Sequence, residues 1–199
     1  MELAAPGLDT RLIRLEPLGE HHRDAVHESG AVEHMWSSMP LIPAGTSIDA
    51  YFDHTLRMAE LGNGLGLAVM LKRENRLVGL SAFLQPNRLH RRVQIGYIWL
   101  EQAQRGTGLV NHIQYLMLKR ALEWRARRVE WWFASDNERA IGNVERLGAL
   151  REGVLRQHSR FADGRWVDLV ILSLVGEEIR TAMHHLGASV AGIAATPSA

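Results

Sequence analysis

Gln104-Arg105-Gly106-Thr107-Gly108-Leu109 is the stretch whose residue types and spacing most directly imply chemistry. Glycines such as Gly106 and Gly108 let a phosphate approach the backbone closely. A helix opening just after Gly108 would leave its first N–H groups unpaired, and its dipole would favour negative charge there. Arg105 adds a positive charge beside the turn. This is the design of a phosphate or pyrophosphate cradle; read bare, it is equally a tight helix start. Two familiar phosphate motifs do not fit. A Walker loop needs Gly-Lys-Ser/Thr, and Leu109 follows Gly108. A dinucleotide fingerprint needs a third glycine at position 111, where Asn111 stands.

Other residues invite chemistry less strongly. Glu101 lies just before the cradle, as a candidate base or as a solvated turn carboxylate. His158 offers a side chain that titrates near neutrality, which suits a general base. Glu33 and Asp53 could hold a cationic amine or be solvated. Trp36, in a proline-bounded loop, suits a pocket wall, and Trp99 suits the lining of a substrate channel. The ten histidines include the adjacent pairs His21-His22 and His184-His185, but none has HExxH spacing, so no metal site is expected. Lys119, Arg120, Arg125, Arg127 and Arg128 form a basic stretch that reads as a solvated helix end rather than a nucleic-acid face.

The elements that must position these residues follow from periodicity and breakers. A strand over 11–18 precedes a short helix at 20–29 and a loop at 30–48. Ser47 or Asp49 caps a helix running to about Glu60. Strands at 65–72 and 76–84 make a hairpin around Arg73-Glu74-Asn75, and a fourth strand covers 92–100. In that strand alternation puts Val93, Ile95, Tyr97 and Trp99 on one side and Gln94, Gly96, Ile98 and Leu100 on the other. A long helix runs from Gly106 to about Arg125, burying Leu109, Ile113, Leu116, Met117, Ala121 and Trp124. A strand at 129–134, a helix at 137–147 and strands at 149–157 and 166–174 complete the chain. The order predicts a mixed α/β (α+β) fold in one domain, 1–178. From about Glu177 the Ala, Gly, Ser and Thr content predicts a fraying tail, 179–199.

Composition removes several classes of function. The 199 residues are 46% hydrophobic and 23% charged, as in globular domains. Lys+Arg total 23 against 22 Asp+Glu, a net of +1, which argues against a polyanion-coating protein. There is no cysteine, so thiolate nucleophiles, disulfides and cysteine metal sites are excluded. No apolar run reaches the roughly 20 residues of a membrane helix. The first residues lack a secretory pattern, so a cytoplasmic protein with no membrane or nucleic-acid partner is expected.

At Gln104-Arg105-Gly106-Thr107-Gly108 the chain resembles the GNAT superfamily of N-acetyltransferases, whose acetyl-CoA loop reads Gln/Arg-x-x-Gly-x-Gly after the fourth strand. Asp136-Asn137 with Glu145-Arg146-Leu147-Gly148-Ala149 resembles the family's second cofactor segment. Ile95-Gly96-Tyr97, Arg151-Glu152-Gly153-Val154-Leu155-Arg156 and Asp163-Gly164-Arg165-Trp166-Val167-Asp168 are similar to the branch that holds ribosomal-protein N-terminal acetyltransferases. The resemblance spans about residues 10–178. It implies a mostly antiparallel seven-stranded sheet with helices on both faces and a splay between strands four and five. It implies that the backbone of Ile98 and Leu100 pairs with the pantetheine arm of acetyl-CoA. The loop from Gln104 through Leu109 would hold the pyrophosphate, and Asn137 would touch the arm. His158, on the sixth strand, would reach the acceptor side, and a homodimer is compatible. The implied reaction is direct attack of a primary amine on the thioester in a ternary complex. Many relatives place a tyrosine acid where Val144 stands, and the nearer branch a serine where Ala140 stands. A CoA-binding module without turnover is therefore the alternative.

Overall fold

Alternating apolar residues build one sheet with two buried faces. The computed structural model describes residues 7–29 and 39–191. The strands are β1 (Leu8–Asp9), β2 (Ile13–Pro17), β3 (Gly64–Leu71), β4 (Arg76–Asn87), β5 (Arg92–Leu100), β6 (Arg128–Ala134), β7 (Leu150–Arg160) and β8 (Trp166–Val175). The helices are α1 (Arg23–Glu28), α2 (Ile48–Glu60), α3 (Leu109–Glu123), α4 (Glu138–Glu145) and α5 (Glu177–Val190). The sheet has eight strands in the order β1-β2-β3-β4-β5-β6-β8-β7. The strand beyond the expected seven is β1, whose two residues are too short to show a period. β5 and β6 are parallel, joined by the α3 crossover, and the other neighbours are antiparallel.

One face of the sheet, with Leu67, Val69, Phe83, Ile95, Trp131 and Leu172, meets α3, α4 and α5 through Ile113, Leu116, Met117, Val144 and Ile179. The other face, with Ala68, Met70, Leu77, Leu80 and Trp99, meets Val26 of α1 and Tyr51 and Phe52 of α2. Phe161, Val167 and Leu169, with Trp132 and Leu155 against them, form a smaller cluster. The same alternation puts this cluster on the α2 side of β6, β7 and β8, because Trp131, Val170 and Leu172 belong to the α3 side. Each fully buried Leu or Phe contributes about 1.5–3 kcal/mol.

Local signals start the helices. Ser47 Oγ accepts the Ala50 N–H at 3.1 Å and caps α2, and Asn137 Oδ1 accepts the Ala140 N–H at 3.2 Å and caps α4. The expected fraying does not occur over Glu177–Val190, and residues 192–199 of the expected tail lie outside the described residues. Residues Glu177–Val190 form α5, which buries Ile179, Ala182, Leu186 and Val190. Their three-to-four-residue spacing gives a stripe that packs on α3, and this burial outweighs the weak helix propensity of the Gly and Ser residues. Among the described residues no helix is long and apolar enough to cross a membrane.

Candidate active site

The central strands part company. β5 pairs with β6 only at Arg92↔Arg128, Val93↔Val129 and Gln94↔Glu130. From Ile95 onward β5 stays bonded to β4 on its other edge, as at Gly79↔Leu100 and Leu80↔Trp99. The edge of β5 that faced β6 is therefore open along Ile95–Leu100, the splay expected between these strands. Backbone groups on such an edge seek a strand-like partner. The Leu100 carbonyl already has one protein donor, Arg105 Nε at 2.9 Å.

A bulge opens the strand further. Leu80 faces Trp99 and Ala82 faces Gly96, so Ser81 opposes both Tyr97 and Ile98. Tyr97 takes the left-handed backbone, with φ 52°. The extra residue shifts the alternation by one. Val93, Ile95, Ile98 and Leu100 thus turn toward α3, and Trp99 turns toward α2. The regular alternation expected across 92–100 holds only up to the bulge. Sequence reading also missed Tyr97 as a site residue. Burial pushes its pKa up, and its hydroxyl makes no hydrogen bond among the described residues.

Beyond Leu100 the chain makes a 3-10 turn, Gln102–Gln104, before α3 begins at Leu109. Gly106 and Gly108 have φ of 81° and 88°, which L side chains rarely adopt, and a Cβ at either would meet nothing within 4 Å. Thr107 Oγ1 donates to the Gln104 carbonyl at 2.8 Å and pins the turn. The amides of Gly106, Thr107, Gly108, Leu109 and Val110 have no acceptor among the described residues. Leu109 itself is buried, so it offers only its N–H. Consecutive bare amides at a helix N-terminus, with an exposed Arg105 beside them, form an anion cradle. Both features fit a diphosphate joined to an extended, amide-bearing tail, which is the chemistry of coenzyme A.

The walls of the opening come from separate elements. On one side stands Trp99, packed against the core that holds Tyr51, whose hydroxyl donates to the Pro40 carbonyl at 2.8 Å. The segment from Met39 to Leu41 then reaches the β7–β8 turn, through Leu41 N to Arg160 O at 2.7 Å and Ala162 N to Met39 O at 3.0 Å. This strap ties the α2 side to the Phe161 cluster. On the far wall Trp132 lies edge-on to the His158 ring, with centroids 5.6 Å apart. The indole N–H of Trp132 is buried without a partner, as is Gln94 Oε1 on the facing strand.

The other singled-out residues separate clearly. His158 is exposed on β7, and its Nδ1 lies 3.0 Å from Ser159 Oγ. Glu101 does not face the cleft as a free carboxylate. Both of its oxygens accept from Arg76, at 2.6 and 2.7 Å. Such a bidentate pair engages both oxygens, so neither is free to accept a proton from a substrate in this arrangement. Asn137 uses its Oδ1 on the α4 cap, leaving its amide nitrogen for a ligand. Asp53 is held by Arg23, which also pairs with Glu20 and Asp49. Trp36 and Glu33 lie outside the described residues. Val144 is fully buried in the α3-side core. Glu16, His21 and His22 bring ligand atoms within 4.8 Å of one another. His22 Nδ1 accepts the Gly19 N–H at 3.0 Å, so Nε2 carries the proton toward Glu16, 2.9 Å away. That geometry is a hydrogen-bonded histidine.

The closed end of the splay is pinned by charge. Buried Glu130 accepts from Arg128 Nε at 2.6 Å and Arg92 Nη1 at 3.3 Å. Arg128 also grips Glu152 with two bonds, at 2.7 and 2.6 Å, and Ser173 Oγ adds a third at 2.7 Å. The Arg128 contact, helped by Ser173, holds the Glu152 carboxyl down at about 2. β5, β6, β7 and β8 are thereby cross-linked where β5 and β6 still pair.

Solved structures share the fold. The chain is similar to a GCN5-related N-acetyltransferase from Brucella melitensis, at 22% identity and a TM-score of 0.82, over 96% of this chain and 87% of that one. It is similar to RimJ of Mycobacterium smegmatis, solved with CoA-disulfide, at 20% identity and a TM-score of 0.74, over 90% and 92%. It is also similar to spermidine N-acetyltransferase of Vibrio cholerae, solved with CoA and spermine, at 17% identity and a TM-score of 0.71, over 84% and 98%. No curated protein matches the sequence. The profile of the Acetyltransferase (GNAT) domain matches residues 12–150, a span that includes the opened β5–β6 pair, the glycine turn and α4. That match covers about two thirds of the chain, and the chain belongs to the GNAT acetyltransferases.

Proposed function

We propose that the protein transfers an acetyl group from acetyl-CoA to a primary amine, by direct attack with both substrates bound. The observation that carries this reading is the unpaired β5 edge running into the bare amides of Gly106–Val110. GNAT acetyltransferases draw on acetyl-CoA, and the RimJ and spermidine acetyltransferase structures each hold a form of CoA. In this chain the loop Gln104–Leu109, with Arg105, binds the diphosphate. The open backbone at Ile98 and Leu100, with the Asn137 amide nitrogen, aligns the tail. The thioester supplies an activated acetyl group at the mouth of the splay.

The acceptor enters on the α2 side, between Trp99 and Trp132 and beneath the Met39–Leu41 strap. A cleft closed by a strap favours a slender, unhindered amine, such as a chain terminus or a small-molecule amine. His158, against Trp132, takes the amine proton as nitrogen bonds the acetyl carbon. The open β5 N–H groups receive the charge that develops on the acetyl oxygen. No side-chain acid stands at positions 140 or 144. The C–S bond breaks with sulfur leaving as thiolate, a good leaving group without one.

The buried Val144 and the methyl of Ala140 favour one second reading, a CoA-binding module that does not turn over. Thiol release from acetyl-CoA across a panel of primary amines separates the two. Release with any amine supports the transferase. Tight acetyl-CoA binding with no release supports the module. No acetyl-CoA binding at millimolar concentration in a calorimetric titration overturns both.

A further inference from the structure

We propose that the cavity at the C-terminal end of α3 binds a small molecule carrying two or more phosphate groups. The cavity measures about 400 Å³ and is lined by Arg91, Arg125, Arg127 and Arg180 together with Leu122 and Glu177. It lies at the end of α3 opposite the glycine turn. Ligand pockets commonly have a few hundred Å³ of volume, more than one phosphate needs.

The charges in it are unbalanced. Arg180 pairs with Glu177, and Glu178 caps the Val175 N–H at 2.8 Å. Arg125 and Arg127 have no carboxylate partner among the described residues. Arg91 spends only its Nε, on the Arg125 carbonyl at 2.8 Å. Arg91, Arg125, Arg127 and Arg180 thus line the cavity against a single lining carboxylate, Glu177, and the excess positive charge is relieved by an anion. The basic run read from the sequence breaks up here. Arg120 pairs with Glu123, and Arg128 pairs with Glu130 and Glu152. These pairings take Arg120 and Arg128 out of the basic run, which favours a compact anion at the cavity over a nucleic-acid strand.

The backbone holds the arginines in place. Arg127 N donates to Arg91 O at 2.7 Å and Gly176 N to Arg127 O at 2.9 Å, so three turns are stitched together. Arg91 and Arg125 take left-handed backbones, with φ of 50° and 58°. Glycine or asparagine would fill such positions with less strain, so arginine there points to a use for the side chain. The first amides of α5, Glu177 to Ile179, also lack acceptors among the described residues, and Glu177 lines the cavity. The negative end of α3 opposes an anion, but its last turn is already bonded, through Trp124 N to Arg120 O, Arg125 N to Leu122 O and Ala126 N to Ala121 O. Guanidinium forks match phosphate oxygens pairwise, which selects phosphate groups over a diffuse negative charge.

The test titrates the full chain, saturated with CoA so that the glycine turn is filled, with sodium tripolyphosphate. Calorimetry is expected to show a single site that prefers tripolyphosphate to orthophosphate. The double variant Arg125→Asn with Arg127→Gln keeps a left-handed-tolerant residue at 125. It is expected to weaken tripolyphosphate binding about tenfold or more while CoA affinity and the melting temperature hold. Gly108→Val, titrated without CoA, is expected to retain the tripolyphosphate site, so the result does not depend on the donor reading. Three results would each overturn the proposal: no binding to the CoA-saturated chain, equal affinity in the double variant, or tighter binding of a single-stranded RNA oligonucleotide at the same arginines.

Discussion

Gly108 carries the most consequence per atom. Its φ of 88° puts any Cβ in a strained backbone, while the space beside it is open. A side chain there costs about 1–2 kcal/mol of strain and fills the volume where a diphosphate would sit. Gly108→Val is expected to weaken acetyl-CoA binding at least about tenfold by calorimetry. Gly62, with φ of 68° and open space in the turn after α2, is the control. Gly62→Val should lose similar stability and leave affinity unchanged. The proton path is tested at His158 and Glu101. His158→Gln is expected to lower kcat about a hundredfold with KM for acetyl-CoA unchanged, since positioned bases supply about that much. Glu101→Gln is expected to leave the pH profile in place, because Arg76 already engages both Glu101 oxygens. The glycine turn was legible from residue types, because a strand, two glycines and an apolar stripe stand in sequence. The fate of Glu101 was not. Its partner Arg76 lies on β4, and a pair across strands cannot be read before the register is known.

At the scale of elements, the site is a defect placed deliberately in a regular sheet. A bulge at Tyr97–Ile98 turns Trp99 toward α2, and pairing with β6 stops at Gln94. Periodicity located β5 to the residue, but a bulge adds one residue without changing composition, so alternation alone misassigned the strand's last third. The splay must be pinned below, and the Arg92–Glu130–Arg128–Glu152 ladder does this. Glu130 is 3% exposed and serves two arginines, so neutralising it leaves guanidinium groups partly desolvated without charge balance. Glu130→Gln is expected to cost about 2 kcal/mol or more. For a chain of this size that lowers the melting temperature by roughly 4–8 °C, measured by circular dichroism. Acetyl-CoA affinity should fall with it, because the angle between β5 and β6 sets the width of the opening. If stability falls and affinity does not, the ladder serves the sheet alone.

Across the whole molecule, tertiary packing overrode one compositional signal and created another. The Gly, Ala and Ser residues after Glu177 suggested a loose end, yet Ile179, Ala182, Leu186 and Val190 complete the core over α3. α3 is fixed from its other flank by His112, which is buried with its Nδ1 2.8 Å from Thr10 Oγ1 in the turn between β1 and β2. Burial pushes the His112 imidazole below its usual 6.5, and Arg11 adds to the effect. His54 is lowered too, by burial and then by Arg57. In both cases the unfolded chain binds the proton more readily than the folded one, so their stability contribution is complete above the usual histidine range and falls as pH drops through it. Glu152 acts in a separate window. Its carboxyl is held at about 2, against a usual 4.5, so the Arg128 pair stabilises fully above 4.5 and is lost as pH falls toward 2. Because 42% of that side chain is exposed, solvent screening leaves about 1 kcal/mol of it. Urea midpoints measured from pH 8 to pH 2 are therefore expected to fall in two stages, one beginning near 6.5 and one beginning near 4.5. His112→Asn should shrink the first stage, which His54 shares, and Glu152→Gln the second, which Asp9, Glu16, Glu20, Asp49 and Asp163 share because their carboxyls are lowered too. A single smooth decline unchanged by either variant would mean that neither group couples protonation to folding, and that α3 and the ladder are held by apolar packing alone.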